Sequence, residues 1–283
     1  MDIRHKLTGE TLASVPGDSL READLRELDL SEADLAGADL TGARLDDTDL
    51  IDADLREARL ETAVLRGARL LRADLARASL RRARLGAPNR SRAAILAGAH
   101  LAEADLSGAD LRNVELRGAD LREACLNRVD ARCADLREAD LFRVVAHHAL
   151  FIEADLREAN LREADLRDSH FNDADLSRAD LSGADLTSLH PEGFTVINLA
   201  NCERAICAGA KMRNLSAEHV NFRFADLRGA DLAHAVLGGS NLYRANVAGA
   251  DFTGVELAGV ETEYVNFSDA RHADVPAYKT HLR

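Results

Sequence analysis

A leucine stands on every fifth residue from Leu20 to Leu85, fourteen times in succession, and an alanine precedes it by two in eleven of those fourteen units. The unit reads Ala-Asp-Leu-x-x, where x is mostly Arg, Glu, Ser or Gly. On an α-helix, at about 100° per residue, successive leucines would shift by about 140° and form no stripe. On a flat strand side chains alternate, so five steps would send successive leucines to opposite faces. Yet Ala and Leu, two apart, share a face within each unit. Every pair can face inward only if the chain turns a corner after each unit. Four corners close a square, so one coil takes about 20 residues and stacked coils lie about 4.8 Å apart.

The pattern runs in three stretches. The spacing from Leu85 to Leu96 is eleven residues, one more than two units require, and the spacing from Leu186 to Ile197 repeats the slip. Between them lie nineteen centres, fifteen of them Leu, with Phe151, Phe171, Ala131 and Ala146 as the others. The third stretch, to about His272, is looser, with centres such as Cys202, Cys207, Met212, Phe222, Leu227, Val247, Phe252 and Phe267. Only 4% of the 283 residues are aromatic and none is Trp, so the interior must be narrow and filled by small and medium side chains.

These Ala-Asp-Leu-x-x units, with Leu or Phe at the centre, resemble the pentapeptide-repeat proteins over roughly residues 18–272. The resemblance implies an all-β fold, a right-handed quadrilateral β-helix of about 12 coils and on the order of 60 Å in length. The expected organisation is an N-terminal cap at 1–17, a β-helix at 18–272 in runs 18–85, 94–186 and 195–272, and a tail at 273–283. Solenoid ends need capping because open edges aggregate.

The interruptions at 86–95 and 187–196 each hold one Pro and one Gly. The plain reading is a one-residue bulge or short bend. The alternative is a projecting loop that touches a partner through Pro88, Asn89, Arg90, His190, Pro191 and Glu192. Qnr relatives carry two such loops, which favours the second. Qnr and MfpA relatives also dimerise through C-terminal elements that include a helix. The tail here is short and interrupted by Pro276, while Val255, Val260 and Val265 occupy the Ala slot of the last coils. The expected state is a monomer or an end-to-end homodimer.

Charge is zoned. Formal net charge is −13, with residues 18–55 at −10, 56–92 at +8, 93–190 at −9 and 191–283 at −2. If positions one coil apart stack, the outward residue before each centre forms columns. Asp34, Asp54 and Asp74 make one. Glu115, Asp135, Asp155 and Asp175 make a second, beside Asp120, Asp140, Asn160 and Asp180 on the neighbouring wall. In the third stretch that position turns to Asn201, Asn221 and Asn241, and Arg117, Arg137 and Arg157 form a ladder next to the second column. Asp at this position is the repeat consensus, and the ladder can neutralise it. The other reading is mimicry of duplex phosphates, since Qnr and MfpA proteins resemble B-DNA and act on type II topoisomerases. Duplex DNA about 60 Å long carries roughly 35 charges, so mimicry would have to come from one or two walls.

No P-loop, nucleophile elbow or His-Glu-x-x-His stands in the chain, and no catalytic residue, cofactor or metal is expected. Cys202 and Cys207 fall on centres and pack in the core; Cys125 and Cys133 face outward; His147 and His148 share a corner. The four cysteines form no disulfide framework. Without an apolar signal segment or a span of 18 apolar residues, no membrane contact is expected and the location is expected to be cytoplasmic. The excess of acid speaks against direct nucleic-acid binding. What the resemblance implies is a DNA mimic that binds DNA gyrase or topoisomerase IV and protects it from quinolones or another poison, giving resistance or self-immunity. The alternative is a protein-protein interaction scaffold unrelated to topoisomerases.

Overall fold

In the computed structural model the chain forms two compact units, Met1–Leu141 and Phe142–Arg283. The structure describes residues 1–190 and 193–275. In both units the backbone makes parallel bridges between residues twenty apart, such as Asp34 with Asp54, Asp54 with Asp74, Asp155 with Asp175 and Asn221 with Asn241. Four such bridges fall in each turn of twenty, for example those starting at Asp24, Asp29, Asp34 and Asp39. This is a β-helix solenoid with one bridge per wall.

One unit accounts for all of its backbone N–H groups. Leu55 donates to the Asp74 carbonyl at 2.7 Å, Glu57 to Ala76 at 3.0 Å and Arg59 to Ala38 at 2.9 Å, all in neighbouring coils. Ala58 donates to Leu55 across the corner at 3.0 Å. The fifth, Arg56 N–H, donates to the Asp54 side chain at 3.2 Å. The aspartate of the consensus is therefore a corner acceptor, using the short side chain that competes well for nearby backbone donors. Asn serves equally: Asn241 accepts from Tyr243 N–H at 2.8 Å and Asn221 from Arg223 N–H at 3.2 Å.

Most corners hold a left-handed residue two after the centre, at φ near +60° in Glu27, Glu57, Arg77 and Glu103. A positive φ costs a non-glycine residue about 1–2 kcal/mol. The corner hydrogen bonds and the burial of two inward side chains per unit offset it. Leu25, Leu55, Leu121 and Leu166 and the slot alanines Ala53, Ala119 and Ala164 are at most 1% exposed. Each fully buried Leu contributes roughly 1.5–3 kcal/mol. Where Thr48 replaces the slot alanine, its hydroxyl donates to the Leu25 carbonyl at 2.8 Å, and Ser240 does the same to Ala217 at 2.6 Å. In the second unit Phe151 and Phe171 stack at 4.8 Å, the spacing of adjacent strands.

At the N-terminus β1 (Asp2–His5) and β2 (Thr11–Ser14) form an antiparallel hairpin. β1 also pairs antiparallel with β3 (Ala33–Asp34) in the first coil, through Arg4 with Asp34 and His5 with Ala33. The hairpin thus covers part of an edge that would otherwise stay open.

The interruptions depart from the one-residue bulge. Bridges that join residues twenty apart elsewhere join Arg69 with Ile95 and His170 with Val196, twenty-six apart. Six residues leave the coil in each unit. A count in fives cannot tell one extra residue from six.

Candidate interaction surface

The acidic columns stack as their spacing predicts within each unit. Asp34–Asp54–Asp74, Glu115–Asp135 and Asp120–Asp140 are bridged in the first, and Asp155–Asp175 and Asn160–Asp180 in the second. Most of these carboxylates have an arginine within 4.0 Å, though Asp34 and Glu115 have none among the described residues. Arg122 Nε and Nη2 grip the two carboxylate oxygens of Asp120 at 2.7 and 2.6 Å, and Nε lies 3.7 Å from Asp140. Arg56 does the same to Asp54, with Asp74 at 3.7 Å. Arg157 holds Asp155 and reaches Asp175 at 3.9 Å. Arg162 lies 3.9 Å from Asp180.

Asp135 corrects the outward reading of its column. It is only 5% exposed, beneath Arg137, which binds both of its oxygens through Nε and Nη2. Burial would raise its pKa, but the Arg137 side-chain and backbone N–H groups outweigh that and hold it below the usual carboxylate range. The Arg117–Arg137–Arg157 ladder is not uniform, because Arg117 turns to Glu138 at 2.7 Å instead of to Glu115. The pairing extends to Asp24, Asp110, Asp130, Asp165 and Asp226, each clamped by an Arg two residues on. The signal was present in the sequence as the recurring Asp-Leu-Arg tripeptide, with Asp-Ala-Arg at 130–132.

The first loop projects Pro88, Asn89 and Arg90 into solvent, with a short 3-10 turn at Arg90–Arg92. Its base is tight: Gly86 N–H donates to Asp110 carbonyl at 2.7 Å, and Asn113 Nδ2 donates to Ala87 carbonyl at 2.9 Å. A Cβ on Gly86 would lie 2.5 Å from Arg112 N. In the second loop His190 is exposed, while Pro191 and Glu192 lie outside the described residues. That loop is pinned by buried Asp168, which accepts from Ser188 Oγ at 2.5 Å and Leu189 N–H at 3.1 Å.

Cys202 and Cys207 are buried; Cys125 and Cys133 are half-buried. His147 Nε2 lies 2.8 Å from Asp165, which Arg167 also holds. Among the described residues there is no group of three or more His, Cys, Asp or Glu placed to hold a metal, and no helix is long and apolar enough to cross a membrane.

Sequence reasoning missed a further feature. One corner of the second unit carries Arg204, Arg223, Phe224, Tyr243, Arg244 and Tyr264 on its outer side, with guanidinium carbons 4.9–5.7 Å from ring centres.

Among solved structures, the chain is similar to HetL, a pentapeptide repeat protein involved in heterocyst differentiation regulation in the cyanobacterium Nostoc sp. The identity is 29%, over 86% of this chain and 88% of that one, with a TM-score of 0.35. It is also similar to a trypsin-treated variant of QnrB1, a plasmid-mediated fluoroquinolone resistance protein, at 17% identity over 88% and 92%, TM-score 0.33. A pentapeptide repeat protein of the Arabidopsis thaliana thylakoid lumen matches at 27% identity over 34% and 66%, TM-score 0.28. No curated protein matches the chain. The model of the pentapeptide repeats matches in eight copies, across residues 19–56, 53–86, 94–130, 149–187, 198–232, 221–259 and 230–271. With most of its length matched in this way, and with its bridges repeating every twenty residues, the chain belongs to the pentapeptide-repeat family.

Proposed function

We propose that the chain is a non-enzymatic protein-binding solenoid, a right-handed quadrilateral β-helix of about 12 coils whose walls present alternating charge to a partner protein. The observation that supports this reading is the double use of the column aspartates. Carboxylates such as Asp54, Asp120, Asp135 and Asp155 each accept a corner N–H and are gripped by an Arg fork. A duplex presents an unpaired anion every ~1.7 Å; in these columns Asp54, Asp120, Asp135 and Asp155 are paired with arginine. The experiment is affinity capture of the full chain from its native extract with cross-linking, followed by binding of each purified candidate. A partner other than a topoisomerase, bound at micromolar affinity, supports the reading.

The second reading is the DNA mimic that binds DNA gyrase or topoisomerase IV and shields it from quinolones or another poison in the cytoplasm. Acids at the corners favour it: Glu22, Glu27, Glu32 and Asp47 sit in left-handed corner positions of the first coils, where net charge is −10 over residues 18–55. Supercoiling assays with and without a quinolone decide between the two. Protection at micromolar protein supports the mimic, and unchanged activity and drug sensitivity remove it.

A further inference from the structure

The outer corner of the second unit joins a cation to a ring at every step. Arg204 lies over Phe224 at 4.9 Å; Arg223 sits between Phe224 and Tyr243 at 5.7 and 5.3 Å; Arg244 sits between Tyr243 and Tyr264 at 5.4 Å each. The rings meet edge to face, Phe224 with Tyr243 at 5.8 Å and Tyr243 with Tyr264 at 5.6 Å. The stacking of coils places them: Arg204 N–H donates to the Arg223 carbonyl, Phe224 to Tyr243 and Arg244 to Glu263. A chain with 4% aromatic residues has put three of its eleven on one outward corner.

Two observations separate this corner from the rest of the surface. Its arginines differ in pairing: Arg204 is taken by Glu203, whereas Arg223 and Arg244 have no carboxylate within 4.0 Å among the described residues. A guanidinium stacked on a ring keeps its in-plane N–H donors, a rigid fork that matches a carboxylate. Its conformational entropy has already been lost to the stack, so binding costs less. The wall beside it carries three stacked amides, Asn201, Asn221 and Asn241, before Glu261, with Asn221 Nδ2 donating to Asn201 Oδ1 at 2.8 Å. Tyr264 is 54% exposed and Ile206, on the next wall, 40%. Arg and Tyr are enriched in protein-interface hot spots; the acids of the same corner are Glu203, held by Arg204, and Glu263, whose carbonyl accepts from Arg244 N–H.

We infer that this arginine–aromatic ladder is a docking site for an extended acidic segment of a partner protein, with Arg223 and Arg244 each taking a carboxylate and the exposed Tyr264 ring packing against an apolar or aromatic side chain. The inference rests on the protein-binding reading and gives it a place. Carboxylates two residues apart on an extended chain are about 6.8 Å from each other, within reach of two long side chains rooted on coils about 4.8 Å apart. A nucleic-acid strand also offers anions and rings, but the net charge of −13 repels a polyanion more than a segment with a few carboxylates.

The test uses the full chain and a fluorescein-labelled alternating Glu-Tyr peptide, read by fluorescence anisotropy, beside a Gln-Tyr peptide and an oligothymidylate of equal charge. Binding of the Glu-Tyr peptide should fall at least tenfold with the Gln-Tyr peptide and with the double variant Arg223→Ala/Arg244→Ala. Arg223→Lys/Arg244→Lys should recover only part, because lysine lacks the fork. Arg228→Ala, which loosens the Asp226 clamp on the next wall, should leave it within twofold. No binding of the Glu-Tyr peptide, equal binding by the double alanine variant, or preference for oligothymidylate overturns the assignment. Cross-linked capture separates the two levels. A partner held equally by wild type and the double variant removes the ladder and leaves the scaffold; no specific partner for either removes both.

Discussion

Arg122 is bonded to Asp120 three times. Its Nε donates to Oδ1 at 2.7 Å, its Nη2 to Oδ2 at 2.6 Å, and its own backbone N–H to Oδ1 at 3.2 Å. The carboxylate therefore closes a corner and cancels a surface charge at once. This makes the Asp column first a structural device, and several consequences can be measured.

Asp120→Ala should cost about 1–3 kcal/mol, since it strands the corner N–H and the guanidinium together. Asp120→Asn keeps an acceptor for the N–H, as Asn221 and Asn241 do, and should cost less than half as much. Urea unfolding of both variants checks this. Equal loss from Asn and Ala would mean that the corner acceptor contributes nothing.

The same pairing sets an acid limit. Hydrogen bonds from Arg56, Arg122 and Arg228 hold Asp54, Asp120 and Asp226 below the usual carboxylate range, and the Arg26 side chain draws Asp24 down to about 2. A carboxylate whose pKa is lower folded than unfolded stabilises the fold above its unfolded value, near 3.9, and that stability is lost as pH falls toward the folded value. Melting temperature should be flat from pH 7 to about 5 as far as these groups act, then drop between about 4 and 2. A melting temperature unchanged at pH 2 would show that the clamps do not couple to folding.

Gly86→Ala should destabilise the first loop more than Gly118→Asn disturbs its corner. An added Cβ at Gly86 meets Arg112 N at 2.5 Å and Asp110 Oδ1 at 2.3 Å. At Gly118 it meets nothing within 4 Å, and its φ of +64° is one that Asn113 and Asn214 adopt elsewhere. Hydrogen exchange across 85–94 should accelerate at least tenfold in the first variant, a loss of about 1.4 kcal/mol or more of local stability. Comparable exchange in both would sink the steric account.

Native thiols should divide into two classes. Burial pushes the Cys207 thiol up to about 12 and raises Cys202 as well, so neither supplies the thiolate that reacts. Cys125 and Cys133 are half-buried on the outside. Ellman's reagent at pH 8 should modify these two in the folded protein and the other two only after denaturation. Prompt reaction of all four would place Cys202 and Cys207 outside the core.

What the five-residue period determines by itself is the coil. Ala53 and Leu55 can share an inward face with every later pair only if the chain turns a corner each time, so which residues stack, such as Asp34 on Asp54 and Asp120 on Asp140, follows from counting. The stacking of the Asp columns and the cores of Leu, Ala and Phe were legible for the same reason. Tertiary structure decided the rest. Counting in fives left one extra residue indistinguishable from six, and only the bridge from Arg69 to Ile95 resolves it. Reach and geometry chose the partner of each arginine, so Arg137 buries Asp135 while Arg117 turns to Glu138. The ladder of Arg223, Tyr243 and Arg244 mixes the two corner positions of successive coils, and no single repeat contains it. Contacts between coils depend on side-chain length and direction, which a periodicity does not encode.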